Sequence, residues 1–184
     1  MTTRDDGAGP ATRDSYYQHA VERFGQALER LARAYEADPD KRRDLLQDIH
    51  FAIWRSFEIY QNRCALRTWV YRVAHNTATS HITRAARRKR HYFVTLDDLE
   101  AEPISATLPA DEAARRRQAL DRLYGLIQRL DPVDRQVIVS YLDGIEAAEI
   151  AEVVGMSPGA VGMKVHRIKR LLARQLNHGG NHGR

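Results

Sequence analysis

The sequence predicts an all-α protein of two small helical domains joined by an acidic, flexible linker. Ala, Leu, Arg and Glu recur at helical spacing over most of the 184 residues, and few residues form the alternating run of a half-buried strand. Residues 91–111, with Pro103 and Pro109 and little periodicity, make a longer irregular stretch than a compact domain normally tolerates, so the domain boundary is placed there. Charge changes sign in blocks along the same division: residues 59–96 contain no acid, residues 97–112 contain no Lys or Arg, and acids vanish again after Glu152.

Residues 1–14 hold Gly, Pro, Thr and charges without periodicity, and a disordered start is expected. The first domain spans 15–90. Its first helix, Tyr16 to Tyr35, carries Val21, Phe24, Leu28 and Leu31 at helical spacing, and Asp38-Pro39-Asp40 then breaks the chain. A second helix is expected from Lys41 to Tyr60 with Leu45, Ile49, Ala52, Ile53 and Phe57 as its apolar stripe. Its other side shows Asp44, Gln47 and Asp48. Gln61-Asn62-Arg63-Cys64 is polar enough for a short loop. Leu66, Trp69, Val70, Val73, Ala74 and Thr77 then mark the buried face of a long third helix, and Arg67, Tyr71, Arg72, His75, Asn76, Thr79 and Ser80 mark its opposite face. Arginines mixed with an aromatic ring, amides and hydroxyls can contact phosphates, stack on an unpaired base and hydrogen-bond its edge. Trp69 lies on the apolar stripe, which favours a core position for it.

The second domain, 112–176, opens near Asp111 with the stripe Leu120, Leu123, Ile127 and Leu130. Asp131-Pro132 restarts the chain into a helix through Val137, Ile138 and Leu142, and Asp143-Gly144 turns it again. Residues 147–172 read as a helix-turn-helix. Ile150, Ala151, Val153 and Val154 form the buried side of a short helix that Gly155 ends, and Ser157-Pro158 opens the next with an N-cap and a first-turn proline. Val161, Val165 and Ile168 hold that second helix down. Gly159, Ala160, Gly162, Met163, Lys164, His166, Arg167, Lys169 and Arg170 face outward, small near the helix start and cationic beyond it. Such a surface approaches a DNA groove closely and neutralises phosphates. The Gly- and His-containing tail at 177–184 is expected to be disordered.

The net charge is only +5, but two basic segments separated by an acidic one suit a protein that touches a polyanion at two places and keeps its connector off it. One cysteine, Cys64, excludes an internal disulfide. No run approaches the roughly 20 apolar residues of a membrane span, and the polar N-terminus has no apolar signal core, so a cytoplasmic protein without membrane contact is expected. No Gly-rich phosphate loop, zinc spacing or nucleophile motif is present, which argues against an enzyme and leaves no cofactor or metal to expect.

Two blocks resemble a known family, the extracytoplasmic-function (ECF) group of the sigma-70 sigma factors of bacterial RNA polymerase. Asp44-Leu45-Leu46-Gln47-Asp48, then Phe51 and Trp54, then Leu66-Arg67-Thr68-Trp69-Val70-Tyr71-Arg72-Val73-Ala74-His75-Asn76 are similar to the sigma-2 domain, whose pattern runs Asp-Leu-Val-Gln-Glu, an aromatic-rich helix and Trp-Leu-Tyr-Arg-Ile-Ala-x-Asn. Leu130 to Leu172 is similar to the sigma-4 domain. The two lie in the family's order and cover residues 16–176.

The resemblance implies a sigma-2-like three-helix bundle and a sigma-4-like helix-turn-helix. It implies that Asp44, Gln47, Asp48 and Trp54 dock on core RNA polymerase, and that Gln61, Asn62 and Arg63, beside Cys64, capture an unstacked non-template base of the −10 promoter element. Arg67, Tyr71, Arg72, His75, Asn76 and Thr79 would line that strand or its upstream duplex. Ser157, Pro158, Gly159, Ala160, Gly162, Met163, Lys164, His166, Arg167 and Arg170 would face the −35 element as duplex. Gly162-Met163 departs from the commonest pattern, Lys or Arg then Ser, and so lacks one expected cationic contact. Members of the group are often held by an anti-sigma factor, though no residue here identifies one. The competing reading is a conventional helix-turn-helix transcription regulator with an N-terminal helical sensor or dimerisation domain; it accounts for residues 130–172 but not for the basic, aromatic block at 59–96 or the acidic motif at 44–48.

Overall fold

The computed structural model describes residues 12–89 and 111–177; the expected N-terminal disorder through residue 11, most of the acidic linker and the tail from residue 178 lie outside them. Seven helices and no strands are found among the described residues: α1 (Arg13–Tyr35), α2 (Pro39–Ser56), α3 (Leu66–Lys89), α4 (Glu112–Ile127), α5 (Pro132–Leu142), α6 (Ala147–Val154) and α7 (Pro158–Asn177). One local device starts three of them. Asp38, Asp131 and Ser157 each precede a proline at the first helical position and each accept a backbone N–H of the first turn through the side chain. Asp111 caps α4 through Ala114 N at 2.8 Å. Thr12 caps α1 through Ser15 N at 3.2 Å, so α1 starts inside the stretch expected to be disordered. The α2 helix runs Pro39–Ser56 rather than from Lys41 to Tyr60, because the backbone turns over residues 57–59.

Leu28, Leu31, Leu45, Ile49, Ile53, Val70 and Ala74 are fully enclosed where α1, α2 and α3 meet. Leu130, Val137, Ile138, Ile150, Val161, Ile168 and Leu171 do the same for α4–α7. At roughly 1.5–3 kcal/mol for each large apolar side chain taken out of water, these layers hold each unit together. The buried Arg135 guanidinium donates to the carbonyls of Gln128 and Leu130, satisfying acceptors that the end of α4 leaves open. Burial lowers its pKa to about 10.

The units are not held apart. The α1 helix packs on α4 and α5, α3 packs on α5 and α6, and the apolar interior is continuous across the junction. This corrects the reading of α3 as a helix with one buried stripe. Tyr71 and His75, placed on its outward face by the sequence, are buried, and so are Thr68, Ala78 and Ile82. The reason is that α3 lies between two layers, α1 and α2 on one side and α5 and α6 on the other. Leu66, Trp69, Val73 and Thr77, expected at its centre, are only half-buried.

Candidate nucleic-acid interface

The helix-turn-helix forms as its punctuation requires. Gly155 takes φ +72°, a left-handed conformation that closes α6, and its N–H reaches the Ala151 carbonyl at 2.9 Å. Ser157 Oγ accepts from Ala160 N at 3.2 Å to start α7. Val161, Val165 and Ile168 are buried beneath α7. Ser157, Pro158, Gly159, Gly162, Met163, His166, Arg167 and Arg170 are exposed, and Ala160 is half-buried. Met163 is 72% exposed, an apolar side chain standing out from the middle of the candidate reading surface. A Cβ at Gly159 or Gly162 would meet open space, so these glycines are not demanded by packing within the chain. Lys164 differs from its neighbours: its ammonium pairs with the buried Asp134 carboxylate, whose pKa burial pushes up and this lysine pulls down.

The loop between α2 and α3 borders a cavity of about 290 Å³ lined by Ile59, Tyr60, Gln61, Arg63, Cys64 and Trp69. Tyr60 Oη donates to the Cys64 carbonyl at 2.9 Å and fastens the loop across its base. Asn62 has φ +55°, a left-handed position that asparagine tolerates, and its amide donates to Tyr16 Oη at 2.9 Å. Gln61 and Arg63 remain exposed at the mouth. Trp69 is half-buried and anchored by its indole N–H on Ser56 Oγ at 2.9 Å, with its ring 5.3 Å from that of Tyr60. One side of it belongs to the core, as the stripe predicted, and the other to this cavity. Ile59 and Tyr60 were missed as lining; the signal was two apolar side chains adjoining a polar loop.

The polar face of α3 is turned to the second unit. The Arg67 guanidinium forms a two-point contact with the Glu149 carboxylate of α6, and Arg72 donates to the Glu152 carbonyl at 2.9 Å. Tyr71 Oη donates to Asp143 at 3.2 Å, and Arg30 of α1 donates to the same carboxylate at 2.8 Å. His75 sits between Tyr35 Oη and Ser140 Oγ, 3.0 Å from each. Enclosure without a charged partner holds its pKa down at about 3, so the ring is neutral. Thr79 Oγ1 accepts from Gln136 at 3.2 Å. Of the seven residues assigned to this face, only Asn76 and Ser80 are exposed.

On α2, Asp44, Gln47, Asp48 and Phe51 form an exposed ridge at the i, i+3, i+4, i+7 spacing of one helix face. Phe51 is 60% exposed, with its ring 6.1 Å from Trp54. Trp54 is half-buried under the Arg13 guanidinium, 3.5 Å from the ring centre, and its indole N–H donates to Asp14 at 2.8 Å. Phe51 belongs to this ridge although the sequence reading used it only as part of a motif; an aromatic seven residues after Asp44 was its signal. No described helix is long and apolar enough to cross a membrane.

A three-helix unit followed by a helix-turn-helix with an exposed cationic helix has the architecture of a DNA-binding transcription protein. Residues 20–88 match the family model described as Sigma-70 region 2, and residues 120–172 match Sigma-70, region 4. The chain is 32% identical over 165 residues to RNA polymerase sigma factor CarQ of Myxococcus xanthus, covering 88% of this chain and 87% of that one. It is 26% identical over 165 residues to the ECF sigma factor SigM of Mycobacterium tuberculosis, covering 88% and 78%. Its fold is similar to CnrH in complex with the cytosolic domain of CnrY (TM-score 0.61, 24% identity, 90% of each chain). It is also similar to the sigma factor RpoE in complex with the anti-sigma factor NepR from Bartonella quintana (TM-score 0.65, 20% identity, 90% and 98%). The chain belongs to the ECF group of the sigma-70 family. It is a sigma subunit of RNA polymerase that binds the core enzyme and promoter DNA, and not an enzyme in its own right.

Proposed function

We propose that this sigma subunit recognises its promoter at two points, with α7 at the −35 element and the α2–α3 loop at the −10 element, and docks on core polymerase through the α2 ridge. The domain division at 15–90, 91–111 and 112–176 is kept in this reading. The cavity beside Gln61 and Arg63 carries the proposal: an aromatic-walled recess with polar groups at its mouth suits an unstacked base, whose flat face stacks while its edge is hydrogen-bonded. Capturing that base stabilises the melted form and offsets an unstacking cost of a few kcal/mol. At the −35 element, Gly159 and Gly162 allow close approach, Arg167 and Arg170 meet phosphates, and Met163 offers an apolar contact of the kind a thymine methyl accepts.

Asp44, Gln47, Asp48, Phe51 and Trp54 form the docking ridge in this reading. The cytoplasm, where polymerase works, is the proposed site of action. An anti-sigma partner is part of the proposal, supported by the structural neighbour RpoE, which was solved with one. Run-off transcription with core polymerase over a genomic library tests the function and returns the promoter sequence. Transcripts that share a −35 and −10 pair are expected; specific binding of promoter duplex by the free chain, with no effect on core polymerase, would replace this reading with the conventional regulator.

A further inference from the structure

We propose that the cleft between α1, α2 and α4 binds a nucleoside polyphosphate. Its volume is about 700 Å³, and its lining sets four arginines, Arg30, Arg33, Arg42 and Arg43, against two carboxylates, Glu29 and Asp121. A volume of this size is that of a small-molecule site. The lining shares no residue with the proposed promoter and polymerase contacts. On α2, Pro39, Arg42, Arg43 and Leu46 follow the i, i+3, i+4, i+7 spacing of one face, and the ridge at Asp44, Gln47, Asp48 and Phe51 occupies another.

The arginines differ in how firmly they are held. Arg30 gives Nε and Nη2 to Asp143 and belongs to the fold. Arg33 pairs with Asp121 and Arg43 with Asp40, both in solvent-exposed pairs of the kind that hold weakly and exchange readily. Arg42 is half-buried and has no carboxylate partner among the described residues. Three guanidiniums lining one cleft can grip the oxygens of successive phosphates. Asp38 already accepts the first-turn N–H groups of α2, so side chains and not the helix end supply this positive wall.

On α4, Asp121, Tyr124, Gly125 and Gln128 repeat the one-face spacing and form another wall. The Arg33 guanidinium lies 4.5 Å from the Tyr124 ring centre, a cation–aromatic pair whose flat surface suits a stacked base. Glu29 and Asp121 repel phosphate and suit a base edge that donates, as guanine does through N1–H and its amino group. Gly125 stands in the last turn of α4 although glycine disfavours helices, and a Cβ built on it meets nothing within 4 Å. Packing within the chain does not call for a glycine there; its missing side chain keeps the cleft open.

Isothermal titration calorimetry of the full chain with magnesium-free GTP tests this, beside guanosine, tripolyphosphate and a short oligothymidylate. GTP is expected to bind about tenfold or more tighter than tripolyphosphate, the difference that stacking of one base supplies. Guanosine is expected to give no saturable heat. Arg42→Ala should weaken GTP and tripolyphosphate alike by about tenfold, because each loses one charge-assisted contact. Tyr124→Leu should weaken GTP by about tenfold and leave tripolyphosphate within about twofold. Gly125→Leu fills the cleft and should abolish both. Arg55→Ala removes the same charge from α2 outside the cleft and should change neither by more than about twofold. Thermal melts accompany every variant, and Arg42→Ala, which removes no ion pair, should melt with the unsubstituted chain.

No saturable heat with GTP overturns the site. Equal affinity for GTP and tripolyphosphate, or undiminished GTP binding in Tyr124→Leu, overturns a nucleoside ligand. GTP binding that survives both Arg42→Ala and Gly125→Leu in full overturns the assignment to this cleft. Oligothymidylate binding tighter than GTP and lost in Arg42→Ala assigns the cleft to a nucleic-acid backbone and overturns the small ligand.

Discussion

The Tyr71 hydroxyl donates to the Asp143 carboxylate at 3.2 Å, joining the helix expected to face a DNA strand to the residue that turns the chain into the helix-turn-helix. Asp143 also accepts from Arg30 at 2.8 Å. Its side chain is 4% exposed, and burial raises its pKa while Arg30 and Tyr71 oppose that rise. Asp143→Ala strands a buried phenol and is expected to cost about 1–3 kcal/mol, against about 0.5–1.5 kcal/mol for Tyr71→Phe. Urea unfolding of both variants and the double variant measures this, and the pair should be non-additive because the residues are in contact. Full additivity would show that the bond contributes nothing.

His75 gives the protein an acid dependence. Its pKa in the folded chain is about 3, below the ordinary value near 6.5, so the unfolded chain binds the extra proton between these limits. Its contribution to stability is complete above about pH 6.5 and falls as pH drops toward 3, by at most about 1.4 kcal/mol per pH unit. His50, also held low by burial, adds in the same direction, whereas the raised carboxyls of Asp134 and Asp143 act oppositely at lower pH. His75→Gln should flatten the stability curve between pH 6.5 and 5 in denaturant titrations. A slope equal to that of the unsubstituted chain would remove His75 as its source.

Two lysine and arginine positions on α7 separate fold from recognition. Lys164→Ala leaves the Asp134 carboxylate buried without its ammonium and is expected to lower stability by about 1–3 kcal/mol. Arg167 is exposed, and Arg167→Ala should lower promoter affinity of the holoenzyme and reduce the salt slope by about one while changing stability by less than about 0.5 kcal/mol. Binding measured across a salt series, beside thermal melts, reads both effects.

Base capture is tested on two templates. Arg63→Ala and Asn76→Ala should slow open-complex formation on duplex promoters more than on a pre-melted template, because their contacts act only on the unstacked strand. Permanganate footprinting of the −10 region follows the melted thymines. Equal loss on both templates would place these residues in recruitment instead.

The α2 ridge predicts a docking defect without a folding defect. Asp48→Arg and Phe51→Ala alter exposed side chains, so melting should stay within about 0.5 kcal/mol of the unsubstituted chain. Affinity for core polymerase, read by competition with a labelled sigma subunit, should fall about tenfold or more in each. Unchanged competition would move the docking surface elsewhere.

Local chemistry in the sequence determined the helical class, most helix boundaries and the helix-turn-helix. Asp38-Pro39, Asp131-Pro132, Ser157-Pro158 and Gly155 act through bonds to neighbours a few residues away, which any reader of the chain can place. The ridge at Asp44, Gln47 and Asp48 was legible for the same reason, since one face of one helix follows from spacing alone. The fate of the α3 side chains was not legible, because Tyr71 and His75 count as polar in any periodicity and only Asp143, Tyr35 and Ser140, supplied by other helices, make their burial tolerable. A helix squeezed between two layers has two buried faces, and tertiary packing alone decided that its arginines meet Glu149 and the Glu152 carbonyl.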